Sequence, residues 1–141
     1  MIRQHFTIKQ WDWRVSVFYS VSGYWTDEIM RSLERAGCSG KVLRGAYESL
    51  SAGEIDGGLT YSNLDRGETV MVIGKATSSE EFVKSWMHEM GHLKDHIATS
   101  CGISPHGEEI QYLGDDIIGK MWEVAHKFVC CECKPKVKRW R

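Results

Sequence analysis

Proline is scarce in this chain, at 2 of 141 residues. That excludes a polyproline segment or a stiff Pro-rich linker. No sign of charge dominates: 18 Lys and Arg stand against 19 Asp and Glu, a formal net charge of −1. A strongly basic nucleic-acid binder and an acidic solvating chain are both excluded as descriptions of the whole. No apolar run approaches the ~20 residues needed to span a bilayer. The start, Met1-Ile2-Arg3-Gln4-His5-Phe6, lacks the uninterrupted apolar core of a secretory leader. The expectation is a cytoplasmic protein without a membrane partner, its thiols reduced. The five cysteines are odd in number and cannot all pair within one chain. No internal repeat or linker is evident.

What is present is ordinary globular material. Hydrophobic residues make up 42% and charged residues 26%, which argues against disorder and suffices for one core in one domain. Trp11, Trp13, Val15, Val17, Tyr19 and Val21 alternate with Asp12, Arg14, Ser16, Phe18 and Ser20, a period of two that predicts a half-buried strand. Thr26, followed by Asp27 and Glu28, predicts a capped helix start. Ile29, Met30, Leu33 and Ala36 form that helix's apolar stripe, and Gly37 its stop. Leu43, Ala46, Tyr47 and Leu50 form a second stripe. Gly57-Gly58 opens an extended stretch, Asp65-Arg66-Gly67 marks a turn, and residues 69–73 are a β-branched run, together a hairpin.

Ser78 with Glu81 three residues on fits a capping box, so a helix is expected from residue 79 to about 98. A further helix is expected from about Glu108 into the Phe128 region. The order is an α+β plan, with residues 1–133 as one domain and residues 134–141 as a basic, disordered tail. That tail holds five basic residues and no acidic one, which leaves 13 basic against 19 acidic residues, or −6, for the body. Nucleic acid or another anionic surface is a conceivable partner through the tail alone; the simpler reading is a solubilising end.

The stretch that carries chemistry is Trp86-Met87-His88-Glu89-Met90-Gly91-His92, an H-E-x-x-H inside the helix expected from residue 79. Histidines four apart lie on one helical face, where both imidazoles can reach a single ion. Glu89 sits about 100° around the helix, beside such an ion, where it can take a proton from an activated water. Zinc suits two imidazoles and a carboxylate with one position left open. On a helical wheel, Phe82, Val83, Trp86, Met90, Leu93 and Ile97 form a core face. His88, Glu89 and His92 occupy a separate strip with Ser85 and His96.

A third protein ligand must come from downstream. The longer pattern H-E-x-x-H-x-x-G-x-x-H fails, because Asp95 and Ala98 hold its Gly and last His positions. His96 lies eight residues from His88 on the same helix, about 12 Å along its axis, which is too far. A glutamate on the following helix, Glu108 or Glu109, can complete a His₂Glu set.

With a strand at residues 69–73, an H-E-x-x-H helix, a loop and a Glu-bearing helix, residues 59 to 128 resemble a small gluzincin. This is the thermolysin-like superfamily of zinc peptidases, here in a pared-down, minigluzincin-like form. The resemblance implies a small zincin-like domain, with the N-terminal strand and helix and the hairpin packed on the H-E-x-x-H helix. It implies Zn²⁺, a peptide or protein substrate, and hydrolysis with Glu89 as general base. His88, His92 and a glutamate would be the ligands. A polar group four residues after that glutamate favours Glu108, with Tyr112 at the polar position, over Glu109. The family's Asp or Asn is absent from both frames. Extended substrates would pair with the strand containing Val70 and Val72. Tyr112, His106 and His126 are candidates for stabilising an oxyanion.

Two further readings accompany this one: a non-catalytic, zinc-containing protein-binding module, and a nucleic-acid-associated protein acting through residues 134–141. Cys130, Cys131 and Cys133 include a C-x-x-C pair that could hold a structural zinc with His126 and Cys101. Reduced thiols at a helix end are the plainer reading. Cys38 has no evident partner. The tryptophans at 11, 13, 25, 86 and 122 read as core or core edge.

Overall fold

The computed structural model describes residues 1–52 and 58–139, excepting the side chains of Tyr24 and of residues 130–139. The fold is α+β. In chain order it comprises β1 (Ile2–Ile8), β2 (Trp13–Val21), α1 (Thr26–Arg35), α2 (Gly40–Ser51), β3 (Gly58–Asn63), β4 (Glu68–Gly74), α3 (Ser79–Cys101) and α4 (Glu108–Arg139). The four strands form one sheet in the order β1-β2-β4-β3. Two antiparallel hairpins, β1–β2 and β3–β4, meet along a parallel β2–β4 join. A parallel pair needs a long crossover, and α1 and α2 provide it.

Helices cover both faces. Val15, Val17 and Tyr19 of β2 and Met71 and Ile73 of β4 pack with Phe82, Trp86, Leu93 and Ile97 of α3 and with Ile117 and Met121 of α4. On the other face, Phe18, Val70 and Val72 pack with Ile29 and Leu33 of α1 and Leu50 of α2. A strand buried on both sides reads as an unbroken apolar run, which is why residues 69–73 do. The core face drawn on the α3 wheel is the buried one.

Strand β1 was not expected. Ile2, Gln4, Phe6 and Ile8 do alternate with Arg3, His5 and Thr7, but a glutamine occupies a core-facing slot. The fold satisfies it at a distance: Tyr19 Oη donates to Gln4 Oε1 at 2.6 Å, and Gln4 Nε2 donates to the Lys120 carbonyl at 2.8 Å. The strand expected from Trp11 begins at Trp13, after a 3₁₀ turn at Lys9–Trp11 and a left-handed Asp12. A bulge between Phe18 and Val21, with Ser20 at φ 58°, then reverses the alternation. Val21 joins the α1/α2 core, not the face of Val17 and Tyr19.

Helix boundaries follow local chemistry. Thr26 is the first residue of α1, not its cap, and its hydroxyl donates to the Gly23 carbonyl. Gly37 stops the chain after α1 with φ 97°. Ser78 caps α3 by accepting from the Glu81 N–H at 3.1 Å. The Glu81 carboxylate reaches back to Thr77, taking both its N–H and its hydroxyl. Helix α4 outruns the expected end near Phe128 and continues as backbone helix to Arg139. Residues 134–139, expected as a disordered tail, thus continue the backbone of α4, although Pro135 brings no N–H to it.

One correction bears on function. β4 lies inside the sheet, paired on both sides, and Val70 and Val72 are buried. They cannot serve as the substrate edge. The edge beside α3 is β3. Among the described residues, no helix is long and apolar enough to cross a membrane.

Candidate metal and catalytic site

Helix α3 runs beneath β3, and side-chain hydrogen bonds staple them. Thr60 Oγ1 donates to Glu89 Oε1 at 2.8 Å. Ser62 Oγ lies 2.6 Å from His96 Nδ1. Ser100 Oγ donates to the Leu64 carbonyl at 3.1 Å, just past the end of β3. Residue numbers rise together in both elements, so strand and helix run the same way. Thr60 and Ser62, two apart, share the face toward α3, while Leu59 and Tyr61 pack toward α1 and α2. The Ser62 bond continues inward: Ser62 Oγ lies 2.7 Å from Thr69 Oγ1, which accepts from Trp13 Nε1 at 2.8 Å.

Below this roof His88 and His92 stand as expected, both exposed. Their Nε2 atoms are 3.2 Å apart and their rings nearly perpendicular, at 86°. One ring can donate to the other at that distance. The same spacing fits a shared ion: with Zn–N near 2.1 Å, two nitrogens so placed subtend roughly 100°, close to tetrahedral. Glu89 differs from its neighbours, being only 3% exposed. It is turned under β3, with Thr60 holding one of its oxygens. His96 stacks on His92 with ring centroids 6.4 Å apart. Burial holds its pKa below the usual histidine range; the nearby His92 adds to this and Asp95 opposes it.

The structure does not bring the expected third ligand to this pair. Trp86 stacks on Trp122, and Lys94 lies against Gly114. That antiparallel register sets His92 level with about residue 116 of α4, eight residues or about 12 Å from Glu108. Glu108 and Glu109 are exposed at the start of α4, opposite the C-terminal end of α3. Among the described residues, no three His, Cys, Asp or Glu side chains are grouped to hold a metal. The expected His88–His92–Glu108 cluster, and its Glu109 variant, are not formed.

The remaining candidates are exposed or bonded elsewhere. Tyr112 is 66% exposed and stands level with His96. His106 is on the exposed loop before α4. His126 donates from Nδ1 to the Trp122 carbonyl and stacks on the Trp122 ring. Cys38 is buried, with its thiol pKa pushed up by that burial, and Cys101 is free. The side chains of Cys130, Cys131 and Cys133, and so the C-x-x-C pair, lie outside the described residues.

Thr60 and Ser62 are the site residues that sequence reasoning missed. Their signal was the strand period in residues 59–64, which puts two hydroxyls on the face opposite Leu59 and Tyr61. No family model, curated protein or solved structure matches this chain.

Proposed function

We propose that this chain is a zinc-dependent hydrolase of the metallopeptidase type, acting on an extended peptide. The observation that carries the reading is the His88–His92 pair, with Nε2 atoms 3.2 Å apart, beside the buried carboxylate of Glu89 under a sheet edge. His88 and His92 would hold the metal, with the remaining positions left to water and substrate. A zinc ion there would supply a Lewis acid for the scissile carbonyl and an activated water.

The protein's own part is proton transfer and positioning. Thr60 occupies Glu89 Oε1, which leaves Oε2 to take a proton from the attacking water and return it to the leaving amine nitrogen as the C–N bond breaks. The outer edge of β3 offers backbone groups to which a substrate strand can pair. Among the described residues no third protein ligand joins the two histidines, so zinc binding should be weak and reversed by a chelator.

The test combines metal content with cleavage of a peptide library. Glu89→Gln should keep its zinc and lose about 10²–10⁴-fold in cleavage rate, while His88→Ala should lose the zinc. A protein that takes up no zinc, or a Glu89→Gln variant as active as the wild type, would sink the proposal. A non-catalytic reading is favoured by one observation: His88 and His92 can satisfy each other by a hydrogen bond. On that reading Glu89→Gln alters neither zinc content nor any activity.

A further inference from the structure

Between α2 and the edge strand β3 lies a cavity of about 390 Å³, walled chiefly by Leu33, Cys38, Val42, Ala46, Leu59 and Tyr61. Its origin is legible in α2. Val42, Gly45, Ala46 and Ser49 are spaced three and four apart and share one face of the helix. Three of the four are small, so this face does not fill the space beside β3. Among the described residues, a Cβ placed on Gly45 meets no atom within 4 Å. Val42 is 61% exposed. The thiol of Cys38 is buried and serves the wall as an apolar group.

The same strand is an edge. The sheet ends at β3, so along Gly58–Asn63 one side of the backbone pairs with β4, and among the described residues no strand pairs with the other. A peptide added there would send alternate side chains to opposite faces. One set lies on the Thr60–Ser62 face, toward Glu89. The other lies on the Leu59–Tyr61 face, over the cavity. The cavity's volume is at the small end of the ~300–1,000 Å³ range of ligand pockets.

We propose that this cavity is the specificity pocket for an extended peptide paired to β3. It would take one large apolar side chain, of leucine to phenylalanine size, next along the strand to the residue presented to Glu89. The inference rests on the peptide-substrate reading above, but its test can separate the two.

The probes are N-acetylated, amidated heptapeptides of alanine, serine and threonine carrying a single Phe at each position in turn, with Ala in its place as the control. The full chain with zinc is assayed for cleavage by mass spectrometry. Binding is followed by the methyl NMR signals of Leu33, Val42 and Leu59. At one position Phe should be preferred over Ala by about tenfold or more in kcat/KM or Kd, with those methyl signals shifted. Gly45→Leu, or Ala46→Leu should the first variant fail to give a wild-type melt, fills the cavity and should bring the ratio near one.

A ratio near one at every position in the wild type would overturn the pocket, as would a ratio that survives in a folded filled variant. Cleavage without apolar preference would sink the pocket and leave the peptidase standing. Phe-dependent binding without cleavage, lost on filling, would do the reverse.

Discussion

Thr60→Val tests the join between roof and helix with the smallest change. Valine keeps the shape and the strand preference of threonine and replaces one hydroxyl with a methyl. The hydroxyl removed is the donor to Glu89 Oε1, at 2.8 Å, on a carboxylate only 3% exposed. A hydrogen bond to a charged group contributes about 1.5–3 kcal/mol, and a stranded buried acceptor keeps its full desolvation cost. The expected loss is about 2 kcal/mol, or roughly 6 °C at about 3 °C per kcal/mol for a chain of this size. Urea unfolding measures it, provided the m-value is unchanged. Thr60→Ser restores the donor and should recover most of the loss. In a Glu89→Gln background the bond is neutral and contributes only about 1 kcal/mol, so the double-mutant cycle should return a coupling of about 1 kcal/mol. The argument is refuted if Thr60→Val unfolds within about 0.5 kcal/mol of wild type, or if Thr60→Ser is equally damaging. Glu89 would then not be fixed by β3, and the assignment of Oε2 as the proton-accepting oxygen would lose its basis.

Two other perturbations probe the same architecture. Gly58→Ala places a Cβ 1.9 Å from the Val72 carbonyl oxygen and 3.2 Å from Glu89 Cγ; β3 must shift away from β4, and a loss of about 3 kcal/mol in urea unfolding is expected, whereas a wild-type midpoint would show the close approach to be absent. The Glu81 carboxyl is held below the ordinary carboxylate range, first by the Thr77 hydroxyl and then by the Thr77 N–H. Its stabilising share is therefore present above the unfolded carboxylate pKa and lost as pH falls through the lower folded value. Thr77→Val should move that carboxyl pKa upward in a ¹³C NMR titration, and no movement would refute the assigned cause.

Local pattern made much of the fold legible, and non-local satisfaction hid the rest. The core face of α3, its Ser78 cap and the β3–β4 hairpin follow from period and turn chemistry within a dozen residues. Strand β1 does not, because Gln4 is acceptable inside only when Tyr19 and the Lys120 carbonyl are there to bond it. The change of phase before Val21 depends on one left-handed residue, Ser20, whose identity announces nothing. In the site, the spacing of His88 and His92 was sufficient to place both imidazoles together, since four residues on a helix fix the geometry. The burial of Glu89 was not readable from the wheel, because its cover comes from a strand 29 residues upstream.

The glutamate expected from α4 fails for a reason of register, and that reason reshapes the site. Phe128 stacks on Phe82 and Trp122 on Trp86, so aromatic packing, not metal ligation, decides which level of α4 faces which level of α3. The carboxylates that reach the level of His92 are Asp115 and Asp116, and they line the groove against β1, with Asp116 near Lys120. Sliding α4 to bring Glu108 to His92 would cost both aromatic contacts. The polar groups that do approach the histidine strip come from the opposite direction, as Thr60 and Ser62 of the sheet edge. The candidate site is thus built between α3 and β3, so its function should respond to changes in the edge strand more than to changes at Glu108 or Glu109.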